Sequence, residues 1–214
     1  DKPEPALEIS SKMMDYDLLD IWAMHENYLA YKELYKINEA KKTLSVLKSR
    51  MRDYIQTYLE LSLNYANAGL WDEAIDVLSN PDLSLDNADE SYPMKYYYLA
   101  YFLLQKGDND KAMDYFNQAV KMPSDYCFPF RLESISILET AIRMNPSDPK
   151  APYYLGNLLY DLQPEKAISY WEKSRDIDDT FTLVHRNLGI AYYKTYNDMP
   201  RSIASYDKAI SLSH

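Results

Sequence analysis

The sequence predicts an all-α chain: an array of antiparallel helical hairpins, about 11 helices in all, with no sheet. Three observations predict it. First, the 214 residues hold only four glycines, where average usage is roughly 7% and a β-rich domain needs many for its turns. Second, the glycines fall into two pairs. Gly69 and Gly107 each stand five residues before an alanine, in Gly69-Leu-Trp-Asp-Glu-Ala74 and Gly107-Asp-Asn-Asp-Lys-Ala112, and are 38 residues apart. Gly156 and Gly189 each follow a leucine inside an apolar run and are 33 apart; spacings of this size mark repeat arrays. Third, a small, a large and a small residue recur at offsets of four and seven: Ala112, Phe116, Ala119; Ala167, Trp171, Ser174; Ser202, Tyr206, Ala209. Those offsets share one helix face, where small residues admit a neighbouring helix and the large one fills the gap.

The elements follow in order. Ala6 to Met14 reads as the second helix of a hairpin whose partner would lie upstream. Leu18 to Tyr31 reads as a first helix with Trp22 at the aromatic position, and Glu39 to Arg50 as its partner. Arg52 to Ala68 and Trp71 to Ser79 form the next pair. Asn80 to Glu90 is rich in Asp, Asn and Ser and holds Pro81, so it is a loop. Tyr92 to Lys106 and Asn109 to Met122 follow. The period then breaks, because Ala119 and Ala141 look equivalent yet stand only 22 residues apart. Ser124 to Phe128 therefore reads as a compressed connector. Pro129 to Met144 reads as a lone second helix with Pro129 in its first turn, ended by Asn145-Pro146. The period resumes at Pro149 and runs to His214.

The expected organisation is one array over residues 1–214. N-terminal helices occupy 1–79, a loop 80–91, a repeat 92–122, an irregular half repeat 123–148 with its joint near 123–129, and two regular repeats 149–214. The chain opens on an orphan helix and ends without the polar cap that a solenoid needs. It is expected to be a fragment of a longer chain; a short protein whose end helices cap themselves is the alternative. Proteolysis is expected first in Asn80 to Glu90 or at the joint.

These residues resemble the tetratricopeptide repeat, a helix–turn–helix unit of about 34 residues. Four segments carry the resemblance: Tyr58 to Leu78 with Leu61, Tyr65, Gly69 and Ala74; Tyr96 to Met122 with Leu99, Gly107, Ala112, Phe116 and Ala119; Pro152 to Asp179 with Leu155, Gly156, Ala167 and Trp171; and His185 to Leu212 with Leu188, Gly189, Tyr192, Tyr206 and Ala209. The resemblance implies a right-handed superhelix whose first helices line a concave groove that holds a peptide or a partner helix. A narrower resemblance rests on Tyr126 to Ile135, Ala151 to Tyr160 and Val184 to Tyr193. These segments are similar to the repeat region of large bacterial proteins that carry an uncharacterised β-rich, mutarotase-like domain upstream. It implies a parent that handles carbohydrate, with nothing in these residues showing sugar chemistry.

Leu61, Leu99, Leu155 and Leu188 are expected to pack within their repeats. The remaining first-helix face would line the groove, and there the sequence places Tyr97, Tyr101, Tyr153, Asn157, Tyr160, Arg186, Asn187, Tyr193 and Lys194 as partner-binding candidates, with Ile190 among them. The second repeat would add Leu59, Leu63 and Asn67, and the first Ala23 and Asn27. Tyrosine offers a large rigid surface and a hydroxyl at low entropic cost; it is equally common as a packing residue of such repeats, and both roles stay open. The family's carboxylate clamp would need a Lys and an Asn four apart, a second Asn, and a Lys with an Arg on a third helix. Asn157 and Asn187 match the asparagines, Tyr153 stands at the lysine position, and the clamp is incomplete. The expected partners are a protein, a peptide or an upstream domain of the same chain, with self-association open.

Composition narrows the chemistry. With 33 acidic and 23 basic residues the net charge is −10, whereas a nucleic-acid binder carries a basic face. The basic stretch Lys41 to Arg52 alternates with Leu44, Val46, Leu47 and Met51, as a solvated face of an amphipathic helix does; a docking site for an acidic partner is the alternative. One cysteine and three scattered histidines make neither a disulfide nor a zinc cage. Cys127, between aromatics, reads as a buried inert thiol, and His25 and His185 as core residues. The carboxylates Asp86, Asp89, Glu90 and Asp176, Asp178, Asp179 lack calcium-loop spacing. No catalytic residue, cofactor or metal ligand is expected, and no membrane span. The acid balance and single thiol fit the cytoplasm and leave the periplasm open.

Overall fold

The computed structural model describes residues 2–83 and 91–213. Twelve α-helices, and no strand, occur among the described residues. They fall into two compact units, 1–91 and 92–214.

In the first unit α1 (Pro3–Tyr16) packs on α2 (Ile21–Glu33), α2 pairs with α3 (Ile37–Met51), and α4 (Ile55–Asn67) pairs with α5 (Trp71–Ser79). A 3-10 turn, Pro81–Leu83, follows. The rest of the expected loop, including Asp86, Asp89 and Glu90, lies outside the described residues, as does His214. Helices α1 and α3 start two or three residues earlier than the sequence reading has them, and α2 and α4 start three later. The second helix begins at Ile21, not Leu18, because the Asp20 carboxylate accepts the Ala23 N–H at 2.8 Å and caps it there. The fourth begins at Ile55, not Arg52, because Arg52 and Asp53 take left-handed φ of 56° and 48° and break the chain between two helices.

In the second unit α6 (Pro93–Gln105) pairs with α7 (Asn109–Lys121), α9 (Lys150–Leu159) with α10 (Pro164–Ile177), and α11 (Thr182–Tyr196) with α12 (Met199–Ser211). The unpaired α8 (Glu133–Met144) packs against α6 and α9. This helix was expected from Pro129 and starts four residues later. Pro129 is buried, and a proline drives the residue before it out of helical conformation. Residues 127–131 form no regular element.

The core follows the repeat positions. Leu61, Leu99, Leu155 and Leu188 are buried, as are Ala112, Phe116, Ala119, Ala167, Trp171 and Ser174. Two small positions also donate hydrogen bonds to the helix they touch: Ser174 Oγ to the Pro149 carbonyl and Ser202 Oγ to the Gly189 carbonyl. Gly107 sits at φ +83°, and behind it the Asp108 N–H returns to the Leu103 carbonyl at 3.0 Å, closing the α6–α7 turn. Gly156 answers a different demand, since a β-carbon there would collide with the Trp171 ring.

Candidate partner-binding face

The predicted residues divide by depth. Tyr153, Asn157, Arg186 and Asn187 converge where α9, α10 and α11 meet. The Asn187 amide donates to Asn157 Oδ1 at 2.8 Å, and Trp171 Nε1 donates to the same oxygen at 3.1 Å and to the Tyr153 carbonyl at 3.2 Å. With two donors on its oxygen, the Asn157 amide is fixed in one orientation, its nitrogen left for other acceptors. The Tyr153 hydroxyl lies beside both asparagines, and burial pushes its pKa up. The Phe181 ring closes on Tyr153 edge-on at 4.9 Å. Arg186 is exposed and its guanidinium reaches Asn187 Oδ1 at 3.4 Å. From there α11 presents Arg186, Ile190, Tyr193 and Lys194, all exposed, along one helix face.

The other tyrosines sit differently. Tyr97 has no exposed surface; its hydroxyl donates to Asp148 Oδ2 at 2.7 Å. Tyr101 is half-buried against Phe102, and Tyr160 is half-buried against the Trp171 ring, centroids 5.0 Å apart. Tyr153 is 3% exposed. Arg186, Tyr193 and Lys194 are thus exposed and Asn157 and Asn187 half-buried, whereas Tyr97 and Tyr153 are buried. In the first unit Ala23, Asn27, Leu59 and Leu63 are buried and Asn67 is exposed.

Asp148 was not singled out by sequence. It is 1% exposed and also accepts the N–H groups of Lys150 and Ala151, capping α9. Burial pushes its carboxyl pKa up against the pull of the Tyr97 hydrogen bond. Lys150 runs the other way across the joint, its ammonium donating to the Val120 and Met122 carbonyls at the end of α7. Asp148→Ala is expected to destabilise the second unit by about 3 kcal/mol, the sum of a lost cap and a stranded buried hydroxyl. Urea unfolding followed by amide exchange in α9 measures it. The sequence signal was faint: an Asp two residues before a helix, with its tyrosine 51 positions away.

Cys127 is buried and free, and burial pushes its thiol up to about 12, which leaves it protonated and inert. His185 is 4% exposed with Nε2 against the Asp179 carbonyl at 2.9 Å, a core residue as expected. In the first unit an open apolar cleft of about 300 Å³, not expected from the sequence, lies between α1 and α2, lined by Ala6, Ile9, Met13, Trp22, Ala23 and Glu26 among others. No described helix is long and apolar enough to cross a membrane.

Fold and face together define a class, an array of helical hairpins that presents an asparagine-paired face on its first helices. The comparison with known families places one hairpin: a family model described as tetratricopeptide repeat matches residues 96–122, most of α6 and α7. Among solved structures the chain is similar to a crystal structure of MamA, 20% identical over 86% of this chain and 92% of that one, with a TM-score of 0.39. It is similar also to MamA 41-end from Desulfovibrio magneticus RS-1, at 21% identity over 74% and 94%, TM-score 0.36. A third is YrrB, described as a TPR protein with an unusual peptide-binding site, at 15% identity over 96% and 93%, TM-score 0.38. No curated protein matches the chain.

Proposed function

We propose that this chain is a non-catalytic interaction scaffold, acting in the cytoplasm, and that its α9–α11 face receives a peptide, a helix or a neighbouring domain. One observation carries the reading: the Asn157–Asn187 pair is locked from behind by Trp171 and opens beside an exposed strip of Arg186, Ile190, Tyr193 and Lys194. Fixed amides match the alternating donors and acceptors of a peptide backbone without losing rotamer freedom on binding. The two cations favour an acidic segment, and Tyr193 and Ile190 give it an apolar footing. The further reading of an accessory region in a larger carbohydrate-handling protein rests on the sequence resemblance alone.

The test is capture from extract of the source cells by wild-type chain and by an Asn157→Ala, Arg186→Ala, Lys194→Ala variant. These side chains are half-buried or exposed, so the fold survives their loss. Capture is expected to fall at least about tenfold in the variant. Equal capture by both chains contradicts the assignment of the face.

A further inference from the structure

The cleft between α1 and α2 is a surface that the scaffold reading does not use. Ala6, Ile9 and Met13 wall it on one side, at offsets of three and four that form one continuous stripe of α1. Trp22 and Ala23 of α2 wall it on the other. Ile9 and Met13 stay 59% and 43% exposed. A second hollow of about 260 Å³ continues the first and shares Ala6 and Glu26 with it. Leu29 and Leu70 line that hollow with Glu26, Glu33, Glu73 and Lys2. Among the described residues none of these three carboxylates forms an ion pair. From Trp22 to Glu33 the whole groove follows three turns of α2, roughly 16 Å. It is apolar at one end and acidic at the other.

A groove between two helices, open and apolar for part of its length, takes a third helix as its natural cover. The second unit shows the form of such a cover. There α8 rests on both α6 and α9 and buries Ser134, Ile137, Leu138 and Ala141, a stripe at offsets of three, four and seven. We propose that the α1–α2 groove is the docking site of an amphipathic helix from a partner protein, apolar along one such stripe and carrying lysine or arginine at one end. The apolar stripe lies on Ile9, Met13 and Trp22, where the unbranched Met13 side chain adapts to whatever enters. The cations meet Glu26, Glu33 and Glu73, whose three charges exceed the single one of Lys2. An acidic or neutral helix is disfavoured, because it would strip water from those carboxylates and give them no partner. The α9–α11 strip has the opposite sign, since its Arg186 and Lys194 favour an acidic segment. The two faces therefore select different partners.

The test is an NMR titration of the 214-residue chain with a helical peptide of about 18 residues, leucine along one face and lysine at one end. A second peptide carries glutamate in place of each lysine. The Met13 methyl and the Trp22 indole N–H report on the groove. Both are expected to shift saturably with the lysine peptide, with a midpoint on the order of 10–100 µM, while the methyls of Met144 and Met199 in the second unit stay in place. The glutamate peptide is expected to bind at least about tenfold more weakly. Glu26→Gln with Glu33→Gln and Glu73→Gln weakens the lysine peptide at least about tenfold. Asp110→Asn with Asp114→Asn and Glu165→Gln, all exposed in the second unit, removes the same charge and leaves binding unchanged. A lysine peptide that leaves Met13 and Trp22 unmoved overturns the proposal, as does equal binding of the two peptides. So does an equal effect of the two triple variants, which would make net charge the cause. A Met13 shift that follows chain concentration without peptide also overturns it, because a second copy would then hold the groove. The peptide pair on wild-type chain decides even where a variant folds poorly.

Discussion

Replacing Trp171 by alanine is expected to destabilise the second unit by about 4 kcal/mol, within the range seen for buried tryptophans. The indole is 3% exposed and packs where Gly156 leaves room for it and Tyr160 covers it. Alanine leaves a cavity between α9 and α10 that relaxation of the helices closes only in part. Trp171→Phe separates packing from function. It keeps most of the volume, costs about 2 kcal/mol, and removes the N–H that orients Asn157. That variant should remain folded at 25 °C and still lose partner affinity by about tenfold, the price of an amide pair free to rotate. Chemical denaturation and a binding titration on one sample read both effects. A Trp171→Phe chain that binds as well as wild type would show that the indole N–H has no part in orienting the face.

Acidification should open the first unit before the second. His25 has no exposed surface, its Nδ1 meets the Tyr65 hydroxyl at 2.8 Å, and its Nε2 is buried without a partner. Desolvation first, and the charge of Lys32 second, lower its pKa from 6.5 to about 4. The sign follows from linkage. Between those two values the unfolded chain binds a proton that the folded chain refuses, so stability is full above pH 6.5 and is lost as the pH falls towards 4. A shift of that size amounts to about 3 kcal/mol. His25→Gln keeps one hydrogen bond to Tyr65 and cannot charge, so its stability should be flat over the same window apart from the carboxylates shared with wild type. Amide exchange in α2 and α4 at several pH values separates the two chains. An equal pH slope in both would remove His25 as the cause.

Much of the fold was legible because its packing rules are local. Leu61, Leu99, Leu155 and Leu188 could be placed from their spacing to the glycines, and Phe116 and Trp171 from the small residues at their flanks. The turns were legible only where glycine makes them. Tyr35 and Asn197 close hairpins at φ 57° and 53° as Gly69 does at 77°, yet neither residue type advertises a left-handed turn as glycine does. Tyr35 stands 34 residues before Gly69, a repeat length that could have flagged it. The joint differs in detail because Pro129 suits a helix start by sequence, yet it stands buried in a stretch without regular structure. For the candidate face, Asn157 and Asn187, which the spacing put on first helices of successive repeats, are hydrogen-bonded to each other. The spacing could not separate Tyr97, which is used inside the fold by a carboxylate 51 residues away, from Tyr193, which is exposed. That distinction depends on what packs above each ring, and period alone does not encode it.

The most direct test of the scaffold reading is amide hydrogen exchange of the chain alone and in complex with whatever protein it captures. The expected result is new protection at residues 153–160 and 186–194, with the rest of the chain unchanged. Protection elsewhere with none at α9 and α11 would contradict the account, and would move the binding surface off the Asn157–Asn187 face.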